Sequence, residues 1–462
     1  ADGHESQSAS ANFRCHGLGL DFLTVVSEDF KQVSKTMVSE TRLGQIPSTK
    51  DRDRCPNRYP AGRALNTGVT YMRQEKRVPT DKGGLPADDW RPAVTSLERY
   101  GPYDRDRPLP LRWQEVTADW FGAVLAHRYP GIAVEALETV ELRNTHTTKL
   151  RVAAVYNDVG VAAGLPTHTC LKANFTGRAN PLDICEMEAR FYQEMVGDAD
   201  VPTPLSYYSD WDGDGSGQGL VVLEDLIELG GEFGNTYQHI GVDAVATALS
   251  DLAVLHGTFW SSPKLDAPWL PRSMDTRGDS DQARLMWWLV EENIVRDVYI
   301  ERLPQWMLDD RQRFLRAYDL LNHFARTQPG PSTIVHGDAY LGNTYLKPDG
   351  HRIWLDWQMV RKGHPWRDVS YFMLTALTVD ERRASERDLL RHYREALASA
   401  GADDVPDEDA IWEQYRRWAM YGLQSWMGTK DHWGQDNHSM IERFAVATDD
   451  LETLALLEAQ LA

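Results

Sequence analysis

Cysteine is scarce: Cys15, Cys55, Cys170 and Cys185 are the only four in a chain of 462 residues. No two form a CxxC pair, so a zinc ribbon or dithiol redox motif is not expected, and so few thiols in a long chain suit a reducing cytoplasm. Long hydrophobic runs are missing as well. None approaches the ~20 apolar residues that a bilayer span requires, and the first residues lack the basic start and apolar segment of a secretory signal. Positive charge is in deficit: 49 Lys and Arg against 69 Asp and Glu leave a formal net charge of −20. Such a surface disfavours nonspecific binding to nucleic acid or anionic membrane, and neither is expected as a partner. Histidines do not cluster, which argues against a metal hydrolase.

What the chain does have is apolar content sufficient for a large core, with 42% hydrophobic and 26% charged residues, and its length suggests more than one domain. Residues 1–107 carry little periodic apolar pattern and read as an irregular extension. From Pro108 onward the pattern sharpens. Val116, Trp120, Phe121, Val124 and Leu125 recur at helical spacing, and Ile132–Leu142 and Leu150–Tyr156 read as strands.

One stretch organises the rest. His336-Gly337-Asp338 is followed by Asn343, then by a Lys347-Pro348-Asp349-Gly350 turn signal and by Asp356-Trp357-Gln358 after a short apolar strand. An Asp, an Asn five residues later and a second Asp across a hairpin form the grammar of phosphoryl transfer in kinases. That chemistry needs a base beside the attacking hydroxyl and oxygen ligands that hold Mg²⁺ on the nucleotide phosphates. Asp338 suits the base, and Asn343 and Asp356 suit the metal ligands. The plain alternative is a hairpin whose Asp and Asn cap turns.

Upstream residues supply the partners. Lys172 lies within the strand pattern His168–Phe175 among apolar neighbours, an unusual place for a lysine. The helix read over Pro181–Met195 puts Ile184, Met187, Phe191 and Met195 on one stripe, with Glu188 inside it and Glu186 on the opposite face. A carboxylate on an apolar face wants a cation, so Glu188 rather than Glu186 is the expected partner of Lys172. The pair would set the ammonium at the α- and β-phosphates. Leu220–Leu226 reads as a strand that ends in Glu224 and Asp225 at a hinge. There the backbone from Glu224 to Leu226 would meet adenine.

The loop Arg143–Lys149 sits where a phosphate-covering loop belongs, yet it contains no glycine. Asp210–Gly215 imitates the start of a calcium loop, but its twelfth position would be Val221, and an acidic hairpin turn is the better reading. His256 reads as a core histidine, and Asp368 as a helix cap or an anchor for the loop around Asp338. Residues 282–327 carry two helical patterns with Trp287, Trp288 and Trp306; 383–400, 408–427 and 439–460 read as three more helices. Sixteen tryptophans fit either an aromatic acceptor pocket or a core.

These pieces, in this order, resemble the aminoglycoside phosphotransferase and choline kinase family of small-molecule kinases, and within it the ecdysteroid-kinase-like (CHK-like) branch. The resemblance runs from about residue 108 to 460 and rests on Leu171-Lys172, Glu188 with Phe191-Tyr192, Leu223–Leu226, Leu252–Trp260, His336-Gly337-Asp338 with Asn343, and Asp356-Trp357-Gln358. It implies an α+β, protein-kinase-like two-lobed fold: a small antiparallel-sheet N-lobe, here 108–226, and a larger, mainly helical C-lobe, here 227–462. It also implies ATP with Mg²⁺ and a small hydroxylated acceptor. Asp338 would be the base, Asn343 and Asp356 the metal ligands, Lys172 the phosphate cation with Glu188 beside it, and the Glu224–Leu226 backbone the adenine contact. A His-Gly-Asp triplet and no Ala-Pro-Glu end after Asp356 separate it from protein kinases. A kinase-like binding or scaffold protein is the alternative from another class.

Overall fold

The computed structural model describes residues 109–145, 147–175, 184–213, 217–273, 290, 292–294, 297–429 and 435–459. The expected extension 1–107, His146, and Trp287 and Trp288 therefore lie outside the described residues.

Leu109 is the first described residue. Its amide donates to Asp212 Oδ1 at 3.2 Å, and the Gln218 side-chain amide donates to the Pro110 carbonyl at 2.9 Å. Helix α1, Ala118–Ala126, is capped by Thr117, whose hydroxyl accepts from the Trp120 amide at 3.2 Å, and it buries Phe121, Val124 and Leu125. Five strands follow: β1 Val134–Asn144, β2 Thr148–Tyr156, β3 His168–Ala173, β4 Ser206–Trp211 and β5 Gly219–Glu224, all antiparallel, in the order β1-β2-β3-β5-β4.

The period-2 alternation of β2 explains the first layer. Leu150, Val152, Ala154 and Tyr156 point to one face and bury with Leu171, Ala173, Leu220 and Val222 against α1. Lys149, Arg151, Cys170, Lys172 and Val221 alternate with them onto the opposite face. Helix α2, Ile184–Glu194, crosses from β3 to β4 with Ile184, Met187 and Phe191 buried, as the stripe requires. Of the expected acidic turn, Asp210 lies within β4 opposite Leu220 of β5 and accepts from the Tyr208 hydroxyl at 3.0 Å, while Asp214 and Gly215 lie outside the described residues.

Strand β5 ends at Glu224, and Leu226, expected at the end of that strand, instead opens a short helix, Leu226–Leu229. Asp225 caps it, accepting from the Ile227 amide at 3.1 Å, and Gly230 ends it in the left-handed region at φ 72°. The helical lobe then contains α3 Val242–Thr258, α4 Arg311–Thr327, α5 Trp366–Ala376, α6 Val379–Ser399, α7 Glu408–Met427 and α8 Gln435–Asp450. Helix α6 packs on α3, and α7 packs on α5 and α8. Thr378 and Glu381 form a reciprocal capping box that starts α6 four residues before the apolar pattern suggested.

The helix expected over 439–460 is two. Glu452 adopts φ 50°, and the chain restarts as a short helix at Thr453–Glu458. Trp354, Trp357 and Trp418 are fully buried in the helical-lobe core, so these three serve packing. Among the described residues, no helix is long and apolar enough to cross a membrane.

Candidate active site

The site is built on a pair of short strand ladders. Strand β6 is Glu232–Phe233. Strand β7, Thr333–Val335, pairs with β10, Arg361–Gly363, and places His336–Asp338 directly beyond the ladder. Strands β8, Thr344–Leu346, and β9, Arg352–Trp354, form the expected hairpin around Gly350, with Thr344 opposite Trp354. The Leu355 amide donates to the Asn343 carbonyl at 2.8 Å, so the ladder continues one step and sets Asn343 beside Asp356.

Asp368 holds the loop. Its carboxylate accepts from the His336 amide at 2.6 Å and the Gly337 amide at 3.0 Å, and His256 Nε2 lies 3.3 Å away. His256 Nδ1 in turn meets the Tyr393 hydroxyl at 2.7 Å. Asp368 is thus an anchor and not the cap of α5, whose cap position is Pro365. Burial opposes its charge, yet the hydrogen bond from His256 helps hold its carboxyl below the usual range. Thr333 also donates to the His256 carbonyl at 2.6 Å. Gly337 is required for two reasons: its φ is +83°, and a Cβ there would meet the Met359 carbonyl oxygen at 1.9 Å.

His336 has an assigned tautomer. Nδ1 accepts from the Asp338 amide at 3.3 Å, which leaves Nε2 to donate to the Leu355 carbonyl at 2.8 Å. The ring is buried and its pKa lowered by that burial, so it spans the hairpin as a neutral strut. It is not aimed at the reaction.

Asp338 is half-buried. The Asn343 side-chain nitrogen donates to its carbonyl at 2.9 Å and to Oδ2 at 2.8 Å. Burial, with the Asp356 carboxylate nearby, pushes its carboxyl up to about 7. Because Asn343 commits its nitrogen to Asp338, its amide oxygen is the end left to meet a cation.

Across the cleft, Lys172 Nζ lies 2.7 Å from Glu188 Oε2 and 2.6 Å from Asp356 Oδ1. Glu186 pairs instead with Arg190 at 2.8 Å. Lys172 thus touches both Glu188, as expected, and Asp356, because a buried ammonium is held best between two carboxylates. Burial works against the Lys172 charge, but Asp356 and Glu188 overcome it and hold the ammonium above its usual range. Asp356 is likewise held low, against burial, by Lys172 and Lys149. Burial raises the Glu188 carboxyl.

Glu188 does more than pair. Its Oε1 accepts from the Trp357 amide at 3.3 Å, and Phe191 stacks on Trp357 at 4.0 Å between centroids. Helix α2 is therefore bolted to the Asp356 turn, where Asp356 itself takes φ 63°, a strained conformation for a residue with a Cβ.

At the hinge, the Glu224 amide donates to the Leu205 carbonyl at 2.9 Å, and Glu224 Oε1 accepts from the Leu205 amide at 2.9 Å. The Leu226 carbonyl accepts from the Tyr345 hydroxyl at 2.7 Å. Glu224 is thus turned toward β4, and its role in the structure is to tie the end of β5 in place.

Two site residues escaped the sequence reading. Arg367 donates to the Gly337 carbonyl and the Tyr421 hydroxyl and stands 4.3 Å over the Tyr421 ring, so it braces the Asp338 loop from below. Its position next to Asp368 was the available signal. Lys149 pairs directly opposite Lys172 in the β2–β3 register. That cross-strand register is a non-local feature and was not legible.

The donor set fits a magnesium ion. One carboxylate, Asp356, and one amide oxygen, Asn343, adjoin a cleft lined by lysine, and Mg²⁺ is commonly held by one or two carboxylates plus substrate phosphates. Among the described residues there is no cluster of three or more His, Cys, Asp or Glu that would make a self-sufficient metal cage.

A sheet lobe whose buried lysine meets a helix carboxylate, joined to a helical lobe carrying an Asp–Asn–Asp hairpin, defines the kinase-like class of fold. The chain belongs to the phosphotransferase enzyme family, whose family model (APH) matches residues 173–418. Among solved structures it is similar to a Ralstonia eutropha protein assigned as an aminoglycoside phosphotransferase, at 15% identity over 71% of this chain and 97% of that one, with a TM-score of 0.45. It is also similar to a microcompartment-associated aminopropanol kinase, at 18% identity over 74% and 98%, TM-score 0.43. A spectinomycin phosphotransferase solved with ADP and spectinomycin aligns at 12% identity over 75% and 95%, TM-score 0.40. No curated protein matches the sequence.

Proposed function

We propose that this phosphotransferase transfers the γ-phosphate of ATP to a hydroxyl of a small molecule, with Mg²⁺, in the cytoplasm, and that it falls in the CHK-like branch of its family. The observation that carries the reading is the Asp338–Asn343 contact at 2.8 Å on the same hairpin as Asp356, which meets Lys172 at 2.6 Å. Turn-capping alone would need none of the cross-cleft contacts.

In this reading Asp338 takes the proton of the acceptor hydroxyl as its oxygen bonds to the γ-phosphorus, and the bond from that phosphorus to the β–γ bridging oxygen breaks to release ADP. Asn343 aims the Asp338 carboxylate. Lys172, positioned by Glu188, binds the α- and β-phosphates, and the backbone from Glu224 to Leu226 is the adenine contact. Asn343 and Asp356 would hold Mg²⁺, which when bound neutralises charge on the phosphates. The hairpin and the Asp368 anchor fix these groups before substrate arrives, the pre-organisation that such chemistry depends on.

The alternative, a kinase-like binding or scaffold protein, predicts nucleotide binding without turnover. A screen with MgATP across alcohols, sterols, aminoglycosides and macrolides, read by mass spectrometry, separates the two. A phosphorylated product that disappears in Asp338→Asn supports the kinase; binding with no product across the screen supports the scaffold.

A further inference from the structure

We propose that Lys149 and Lys172 act as a two-lysine clamp on the nucleotide phosphates, with Lys149 doing from β2 what a glycine-rich loop does elsewhere. The proposal rests on the nucleotide-binding reading above and adds a residue that sequence motifs do not assign.

Several polar groups among the described residues of the β1–β2 loop bond to one another. The Thr145 amide donates to the Thr147 carbonyl at 2.9 Å, the Thr145 hydroxyl reaches the same carbonyl at 3.1 Å, and the Thr148 hydroxyl donates to Asn144 Oδ1 at 2.9 Å. Among the described residues of this turn, the Thr145 amide is thus committed internally, whereas phosphate-cradling loops turn successive amides outward. A phosphate bound on this side of the cleft would draw on positive charge.

Lys149 supplies it. Directly opposite residues of an antiparallel pair project to one face with close Cβ atoms, and Lys149 is the direct partner of Lys172. Its neighbours Thr148 and Leu150 are buried toward the other face of the sheet. Like charges placed directly opposite are destabilising, so the arrangement has a stability cost that a bound polyanion would offset.

The other half-buried or buried cations of this face are paired. Arg151 meets Asp225 at 2.7 Å and Glu141 at 3.1 Å, and Lys172 has its two carboxylates. Lys149 makes no ion pair among the described residues. Burial, and then the Lys172 charge, lower its pKa, while Asp356 and Glu188 partly offset them. It therefore shares the electrostatic environment of the proposed phosphate site without being consumed by it.

The test is titration calorimetry on the full chain with MgATP, MgADP and adenosine, for the wild type, Lys149→Gln, Lys149→Met, Lys149→Arg and Lys172→Met. Loss of a charge-assisted phosphate contact should weaken MgATP and MgADP about tenfold or more in Lys149→Gln and Lys149→Met. Adenosine affinity should be unchanged, and Lys149→Arg should retain most of the affinity for MgATP. Wild-type MgATP affinity in Lys149→Gln and Lys149→Met, with Lys172→Met weakened, overturns the clamp and leaves the nucleotide site standing. Equal losses for adenosine and MgATP also overturn it, by marking a structural role. A wild-type protein that binds none of the three overturns both this proposal and the reading it rests on.

Discussion

The side-chain nitrogen of Asn343 lies 2.8 Å from Asp338 Oδ2 and 2.9 Å from the Asp338 carbonyl, so one amide fixes both the backbone and the carboxylate of its neighbour five residues earlier. A short chain segment is thereby locked into a single geometry. Asn343→Ala should leave the fold intact but release the Asp338 carboxylate. Turnover should fall by more than tenfold, with little change in thermal melting. Melting curves paired with initial rates check this, and an unchanged rate would show that Asp338 is oriented by something else.

Asp338 also gives a pH signature. Burial and then Asp356 raise its carboxyl from 3.8 to about 7 in the folded protein. An acid raised on folding binds more protons in the folded state between those two values, so its ionisation costs stability progressively from about pH 4 to pH 7 and fully above. Asp338→Asn should therefore melt higher than wild type at pH 8.5, with the gap closing toward pH 4. A gap of constant size across that range would place the carboxyl in an ordinary environment.

Asp368→Ala removes the acceptor of two buried amides and of His256. Leaving such donors unpaired costs about 1–3 kcal/mol each, so a loss of at least about 2 kcal/mol is expected in denaturant titration. Loss of less would mean that water replaces the carboxylate without penalty.

Asp356→Ala should abolish the magnesium-dependent part of the rise in melting temperature that nucleotide gives, because it removes the carboxylate donor. Asp338→Asn should keep that rise. Differential scanning fluorimetry with ATP, with and without Mg²⁺, measures both; a full magnesium-dependent shift in Asp356→Ala would move the metal site elsewhere.

A chain starting at residue 101 should fold and bind nucleotide, since the cores described here begin at Leu109 and the Leu109 amide is already fastened to Asp212. Loss of cooperative melting on truncation would make residues 1–100 part of the folded core.

How far the sequence could be read depended on whether a contact is local. The 408–427 helix matched to the residue because its apolar stripe and the Asp407 cap coincide. The partners of Lys172 were half legible. Glu188 followed from helical phase, which is local, whereas the Lys172–Asp356 contact joins residues 184 apart and depends on how the lobes meet. Lys149 was visible only as a loop residue, since its place opposite Lys172 depends on the pairing of two strands. The helix end at Asp450 was not legible because Glu452, a good helix former, is the residue that takes the left-handed turn.

The most direct measurement is acceptor-dependent ADP formation by the wild type and Asp338→Asn, run side by side with MgATP binding by calorimetry on the acceptor found in the screen. A general base contributes about 10²–10⁴ to the rate, so the variant should bind MgATP like wild type and turn over at least about a hundredfold more slowly. An Asp338→Asn enzyme that binds MgATP and turns over at close to the wild-type rate would contradict the account.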